Sequence, residues 1–296
     1  MKVLVIGGGG MLGHKLVQVF SREFDVFTTL RRGRETYAQF DIFDPAKTFE
    51  NIDVENISGI DSIFQKIRPA VVVNAVGLIK QLPNSANVVE TLNLNSIFPH
   101  RLAEIATKHG SRLICISTDC VFSGEKGNYT EDDVPDALDL YGMSKNLGEV
   151  RSDGCLTIRT SIIGRELLTR HSLVEWFLGH AGGTVNGYTD AIFSGFSTLK
   201  FAELLVKVIR DHPALSGIYQ VSSDPITKYD LLQLIKSAYG VEVAVEPSDA
   251  VKIDRSLDSS RFREATGIFP SSLAEMIERM ANDPTPYEKW PKNGNE

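Results

Sequence analysis

Tyr141 and Lys145 stand four residues apart in the run Tyr141-Gly142-Met143-Ser144-Lys145. On a helix that spacing puts both side chains on one face. A tyrosine phenol ordinarily titrates at about pH 10. A neighbouring ammonium favours the phenolate and lowers that value, which readies the phenol to give up a proton nearer neutrality. Upstream, Ile114-Cys115-Ile116-Ser117-Thr118-Asp119 reads as a buried strand ending in two hydroxyls and a carboxylate. Ligands of open α/β sheets gather outside the carboxyl ends of strands. Thr118 is therefore expected to hydrogen-bond a carbonyl oxygen that Tyr141 protonates, with Lys145 holding the phenol in range. A Tyr-x-x-x-Lys spacing alone matches many helices, and it gains weight from the strand end and from a glycine loop at the N-terminus.

That loop is Gly7-Gly8-Gly9-Gly10-Met11-Leu12-Gly13, in which Gly7, Gly10 and Gly13 recur at three-residue spacing. It follows an apolar strand and opens a helix, as a dinucleotide-binding turn must. The glycines allow a tight turn and close approach of a pyrophosphate, and the first-turn N–H groups at Met11 and Leu12 face the phosphates. The second strand ends at Thr28-Thr29-Leu30 and continues into Arg31-Arg32-Gly33-Arg34. An acidic residue there would bind the ribose 2′-hydroxyl of NAD, whereas Arg31 and Arg32 suit the 2′-phosphate of NADPH. NADPH is the expected cofactor and NADH the alternative. Loop arginines that are merely solvated are the competing explanation.

These residues need a scaffold. Lys2–Ile6, Asp25–Leu30, Ala70–Asn74, Arg112–Ser117 and Leu156–Arg159 read as short buried strands. Met11–Phe20, Asp61–Ile67, Asn87–His109 and Tyr141–Arg151 read as helices between them. The alternation predicts an α/β fold, a doubly wound parallel sheet with right-handed crossovers. After Ile163 the texture changes: Glu166–Gly179, Leu199–Asp211, Lys228–Tyr239 and Ser271–Met280 are expected helices, and Ile218–Val221 and Val241–Val245 expected strands. The expected layout is a cofactor domain over 1–160 and a smaller C-terminal α/β lobe over 161–296, some of whose segments return to the first domain. The site is expected where the two meet. The tail Asp283–Glu296, rich in Pro, Lys and Asn, is expected on the surface.

Composition narrows the function classes. The 296 residues carry 31 Lys+Arg and 38 Asp+Glu, a net charge of −7, which argues against broad nucleic-acid binding. No apolar run reaches the length of a membrane span, and the apolar start is too short for a signal peptide, so no membrane partner and a cytoplasmic location are expected. Cys115, Cys120 and Cys155 have no metal-binding spacing and read as reduced thiols, and six histidines form no His-x-x-x-His pair. No metal is expected. His14 is expected on an exposed helix face, His100 in packing or capping, and Trp176 and Phe177 in the core.

With these motifs in place, the sequence resembles the extended short-chain dehydrogenase/reductase family, and within it the dTDP-4-dehydrorhamnose reductase group. The resemblance runs through the glycine loop, Ile67-Arg68-Pro69, Val71-Val72-Val73-Asn74-Ala75, Asn95 to Glu104, Ile116-Ser117-Thr118-Asp119, Val121-Phe122, Tyr141 with Lys145, and Arg159-Thr160-Ser161. It implies a Rossmann sheet and NAD(P)H-dependent reduction of a nucleotide-linked 4-keto-6-deoxy sugar. It further implies Asp53 and Val54 against the adenine, and Asn74, Ala75 and Val76 along the cofactor. Asn95 would support the catalytic elements, with Gly77, Asp119, Cys120, Ser161, Ile162 and Arg165 toward the sugar nucleotide. Arg170, His171 and Lys200 are further candidates for a diphosphate clamp, and so, with less support, are Arg255 and Arg261.

The departures are informative. Cys120 stands where the group usually carries Tyr, and Ile162 where it usually carries Trp. Gly187 to Gly195 replaces its usual Asp-Gln-x-Gly-Ser-Pro-Thr segment. Losing two aromatic walls enlarges the pocket and suits a bulkier sugar, such as a UDP-linked 2-acetamido-2,6-dideoxy-4-keto sugar. Two rivals stand beside this reading: an epimerase or dehydratase with tightly bound NAD, and a non-catalytic NADP-binding regulatory subunit. The sequence leaves a homodimer open.

Overall fold

The computed structural model describes residues 1–80, 83–290 and 292. The strands are built where short β-branched runs can be buried on both faces. They are β1 (Lys2–Ile6), β2 (Asp25–Thr29), β3 (Thr48–Phe49), β4 (Val71–Asn74), β5 (Arg112–Thr118) and β6 (Cys155–Thr160). With Gly217–Gln220 at one edge, they form a seven-stranded sheet in the order Gly217–Gln220, β6, β5, β4, β1, β2, β3. β1 pairs in parallel with both β2 and β4, so the chain reverses its direction of winding between β1 and β4. The carboxyl ends of strands at such a reversal leave a crevice for a ligand. The glycine loop leaves β1 there and the Ala75–Lys80 segment leaves β4.

The first-half helices are α1 (Met11–Phe20), α2 (Ile57–Ile67), α3 (Val88–Leu92), α4 (Phe98–Lys108) and α5 (Leu140–Leu147). α1 turns Leu12, Leu16, Val17, Val19 and Phe20 inward, each burial contributing roughly 1.5–3 kcal/mol. α2 begins a turn earlier than expected because the Asn56 side chain accepts from the Gly59 N–H and caps it. α3 and α4 form one helical path interrupted by a π-helical turn at Asn93–Ile97. Such turns insert one residue into a helix. Leu4, Ile6, Phe64, Val72, Phe98, Leu102 and Leu113 form the core beneath this face of the sheet. His14 does not lie on an exposed face: it is wholly buried, its Nδ1 2.8 Å from the Gly10 carbonyl oxygen.

The chain divides into two compact units, residues 1–118, 138–159 and 202–219 in one and 119–137, 160–201 and 220–296 in the other. The segment 119–137, placed by the sequence in the cofactor domain, thus groups with the second unit. In that unit Thr184–Phe193 is the centre of a three-stranded sheet, antiparallel to Ile226–Thr227 and parallel to Ala244–Asp254. Ile162–Ile163 pairs in parallel with Phe196–Ser197. Val174, Phe177, Val185, Leu231, Ile235, Met276 and Ile277 are buried there. Trp176, expected in the core, is half-exposed and rests on His180 at 4.9 Å. The tail does not lie wholly on the surface: Tyr287 is buried, and Lys292 pairs with Glu175. The expectation for Pro291 and Asn293–Glu296 lies outside the described residues. No helix among the described residues is long and apolar enough to cross a membrane.

Candidate active site

The glycine loop owes its shape to contacts that only hydrogen fits. Gly7 has φ +89°, and a Cβ on Gly13 would fall deep inside the Gly7 carbonyl oxygen, with Gly7 C at 2.8 Å. A Cβ on Gly10 would instead meet only the Gly7 oxygen, at 3.5 Å. Gly10 caps α1 without a side-chain hydrogen bond, which leaves first-turn N–H groups at Met11 and Leu12 for an anion. Thr29 Oγ1 accepts from the Gly7 N–H at 3.1 Å, and Thr28 Oγ1 donates to the Val5 carbonyl at 2.9 Å. The two threonines at the end of β2 therefore hold the loop. Arg31 and Arg32 follow, both exposed, while Arg34 is engaged by Glu50 at 3.1 Å.

Tyr37 was not singled out by its sequence. It is buried against the loop, where a Cβ on Gly9 would sit 2.6 Å from its hydroxyl. Burial raises its phenol above the ordinary value, opposed by the charges of Arg32 and Arg31. Asp53 accepts from the Glu55 N–H at 3.0 Å in the turn before α2. Val54 is buried and, with Glu55, Ile57, Asn93, Ile97, Phe98 and Arg101, lines a depression of about 230 Å³.

Beyond β4, Asn74 Oδ1 accepts from the Val76 N–H at 3.1 Å, which folds the Ala75–Val76 backbone back over the strand end. Asn95, in the π-helical turn, acts as a surrogate strand. Its Oδ1 accepts from the Leu78 N–H at 2.8 Å and its Nδ2 donates to the Leu78 carbonyl at 3.0 Å. The same Nδ2 donates to Ser144 Oγ at 3.1 Å, between Tyr141 and Lys145 on α5. One buried amide therefore ties the β4 loop to the helix that carries Tyr141 and Lys145.

Thr118 ends β5 as a buried hydroxyl. α5 starts at Leu140, where Asp139 Oδ1 accepts from the Gly142 N–H at 3.0 Å, so Tyr141 lies in the first turn and Lys145 one turn on. Lys145 Nζ donates to the Ile116 carbonyl at 2.7 Å, and a Cβ on Gly77 would lie 3.9 Å from it. Desolvation lowers this ammonium below its ordinary range, with Cys115 and Glu149 acting in the opposite direction. Thr118, Tyr141 and Lys145 thus belong to one unit, on a strand end and a helix fixed to that strand. Beneath them, Arg159 Nε and Nη2 clasp Glu149 at 2.7 and 2.8 Å, and Ser117 Oγ donates to the same carboxylate at 2.8 Å. Neither Ser117 nor this pair was anticipated, because the partners come from three elements that no local spacing links.

In the second unit Asp119 and Cys120 open a short 3₁₀ turn, and Arg255 Nη1 approaches Cys120 Sγ at 3.8 Å while its Nε donates to the Phe122 carbonyl. The Ser161 carbonyl accepts from the Phe196 N–H at 2.9 Å, and Ile162 is half-buried in its short strand. Arg165 departs from the diphosphate-clamp expectation. It is buried, paired with Glu175 and Glu288 at 2.6 Å each, and stacked 4.9 Å from the Tyr287 ring. The buried Glu175 and the exposed Glu288 already neutralise its charge. Arg170 is exposed, and His171 is half-buried with its N–H donated to Glu166.

Residues 1–280 match the model of the RmlD substrate binding domain. The chain belongs to that family. Among RmlD-family relatives, the dTDP-4-dehydrorhamnose reductase of Aggregatibacter actinomycetemcomitans is 26% identical over 94% of this chain and 98% of its own. A solved structure from Sulfolobus tokodaii, described as a hypothetical dTDP-4-dehydrorhamnose reductase, is 25% identical with a TM-score of 0.76, covering 92% of this chain and 98% of that one. The dTDP-4-dehydrorhamnose reductase of Bacillus anthracis, solved with NADP, shares the fold at 23% identity and a TM-score of 0.78, covering 94% and 98%.

Proposed function

We propose that this RmlD-family chain is an NADPH-dependent oxidoreductase that reduces the 4-keto group of a nucleotide-linked 6-deoxyhexose. The observation that carries the reading is the fixed grouping of Thr118, Tyr141 and Lys145, with Lys145 anchored on the Ile116 carbonyl. The cofactor fits the residues present: Gly10 leaves open backbone at the start of α1, and Gly7 and Gly13 close the turn behind it. Gly7, Gly10, Met11, Leu12 and Gly13 would hold the pyrophosphate, Arg31 and Arg32 the 2′-phosphate, Asp53 and Val54 the adenine, and Asn74 to Val76 the remainder. When bound, the reduced nicotinamide supplies a hydride.

The chain's own residues manage the proton. Tyr141 Oη gives its proton to the oxygen formed at C4 as the carbonyl is reduced. Thr118 Oγ1 donates a hydrogen bond to the same oxygen, and Lys145 stabilises the phenolate left on Tyr141. Asn95 holds Leu78 and α5 together beside these residues.

The finer reading is a UDP-linked 2-acetamido-2,6-dideoxy sugar in the assembly of cell-surface polysaccharide precursors. Cys120 and Ile162, smaller than the aromatic residues usual at these places in the reductase group, support it. The test is NADPH oxidation against dTDP- and UDP-linked 4-keto-6-deoxy sugars, with products read by NMR. Turnover of one class is expected. NADPH left unoxidised with both classes refutes the reductase reading and favours a regulatory role. Tyr141→Phe should lower kcat by about 10²–10⁴-fold while retaining NADPH binding, since general acid catalysis supplies a factor of that order. An unchanged rate would remove Tyr141 as proton donor.

A further inference from the structure

We propose that Lys80 is a second ammonium serving Tyr141, a positioning residue that sets the proton affinity of the phenol. The inference rests on the reading of Tyr141 as proton donor. Lys80 lies at the end of the loop that leaves β4. Its Nζ stands 5.5 Å from the centroid of the Tyr141 ring and 2.8 Å from Asp139 Oδ2. The other Asp139 oxygen caps α5 by accepting the Gly142 N–H. A single carboxylate thus fixes both the first turn that carries Tyr141 and the cation over its ring.

A cation over an aromatic face is attracted to the ring in either protonation state. It is attracted more strongly once the ring carries the phenolate charge. Lys145 is held by its hydrogen bond to the Ile116 carbonyl, and the Lys80 charge over the ring adds to its own. Other charged groups stand on α5 and on the elements packed against it. Lys145 lies in α5, Glu90 in α3 packed against it, and Asp119 directly after β5. Arg112 is at the far end of β5, and Glu149 is consumed by Arg159.

Lys80 and Asp139 therefore act with opposite sign on one phenol. Their side chains are 36% and 42% exposed, so water screens both, and the shift expected from each is about half to one pH unit. Removing the ammonium raises the Tyr141 midpoint. Removing the Asp139 charge leaves the ammonium uncompensated and lowers it. Asparagine caps a helix as well as aspartate does, so Asp139→Asn separates charge from helix capping.

The experiment is an NMR titration of protein labelled at tyrosine Cζ, with the Tyr141 signal assigned by its loss in Tyr141→Phe. Lys80→Met is expected to raise the midpoint by about half to one unit, and Asp139→Asn to lower it by a similar amount. Lys80→Arg should keep it within about 0.3 units of the unaltered protein, since the charge is retained. Shifts of the same sign in Lys80→Met and Asp139→Asn, or shifts below about 0.3 units in both, would overturn the proposal. The titration needs no substrate, so its failure is distinct from failure of the sugar panel. With an active sugar, the alkaline limb of the NADPH-oxidation profile should move up in Lys80→Met and down in Asp139→Asn; limbs that stay in place would also overturn it.

Discussion

Removing the carboxylate of Glu149 should test how the end of β5 is held. Glu149 and Arg159 side chains are each 1% exposed, and two hydrogen bonds of 2.7 and 2.8 Å join them. Ser117, the neighbour of Thr118, adds a third at 2.8 Å. Counting each charge-assisted bond at about 1.5–3 kcal/mol would suggest a very large loss. That sum overshoots, because the pair was desolvated at comparable cost. The loss is governed by the guanidinium left buried without its partner, about 3–5 kcal/mol. At about 2–4 °C per kcal/mol, Tm should fall by about 6–20 °C. The double variant Glu149→Leu with Arg159→Met removes both charges and should recover much of the loss, short of the roughly 1–3 kcal/mol for Ser117 without its acceptor. Urea unfolding of the four corners of the cycle should give a coupling of at least about 2 kcal/mol. A single variant within about 1 kcal/mol of the unaltered protein, or a double variant no more stable than either single, would refute the reasoning.

Gly13→Ala and Gly10→Ala should separate fold from ligand binding. The first places a Cβ inside the Gly7 carbonyl and should cost at least the roughly 1–3 kcal/mol of an overpacked core, seen as a lower Tm. The second makes only an ordinary 3.5 Å contact, so its Tm should stay within about 2 °C while NADPH fluorescence titration shows weaker binding. Asp61 tests acid stability. Hydrogen bonds from His109, Lys108 and Gln65 hold its carboxyl at about 2, below the ordinary 3.8. Its contribution is therefore present above about pH 4 and lost as pH falls through about 2. The gap in urea midpoint between the unaltered protein and Asp61→Asn should close over that window, and a gap that persists at the acid end would contradict it.

Many strands and helices were legible where burial leaves period and boundary in the sequence. Met11–Phe20 and Lys228–Tyr239 occur with the expected bounds. Gly240, at φ +60°, ends the latter. The pattern over Glu166–Gly179 predicts one helix, but the regular part is Leu173–Leu178. Glu166 accepts from the His171 and Ser172 N–H groups and holds the preceding stretch in a loop. Thr184–Phe193 escaped notice as a strand because one of its inward positions is Gly187, and its exposed side is polar. Val241–Val245 showed alternation, yet the strand begins at Ala244 and runs to Asp254 through Pro247 and a bulge. Tyr141, Lys145 and Thr118 were legible as candidates because spacing carries them. Lys80, Tyr37 and Glu149 were not, because their partners lie on other elements and only folding brings them together.

The π-helical turn at Asn93–Ile97 acts as a phase shifter. A residue added to a helix rotates everything before it by about 100° relative to everything after it. On one side of the turn Phe98 and Leu102 must face the sheet. Within it Asn95 must face Leu78 and Ser144, and its carbonyl leaves room for hydrogen alone at Gly148. The extra residue lets one helical path give Phe98 and Leu102 to the core and the Asn95 amide to Leu78 and Ser144. Deleting any one residue between Val88 and Phe98 would straighten the helix and force a choice between its core and its amide, so the timing of this site is kept by the middle of a helix and not by its ends.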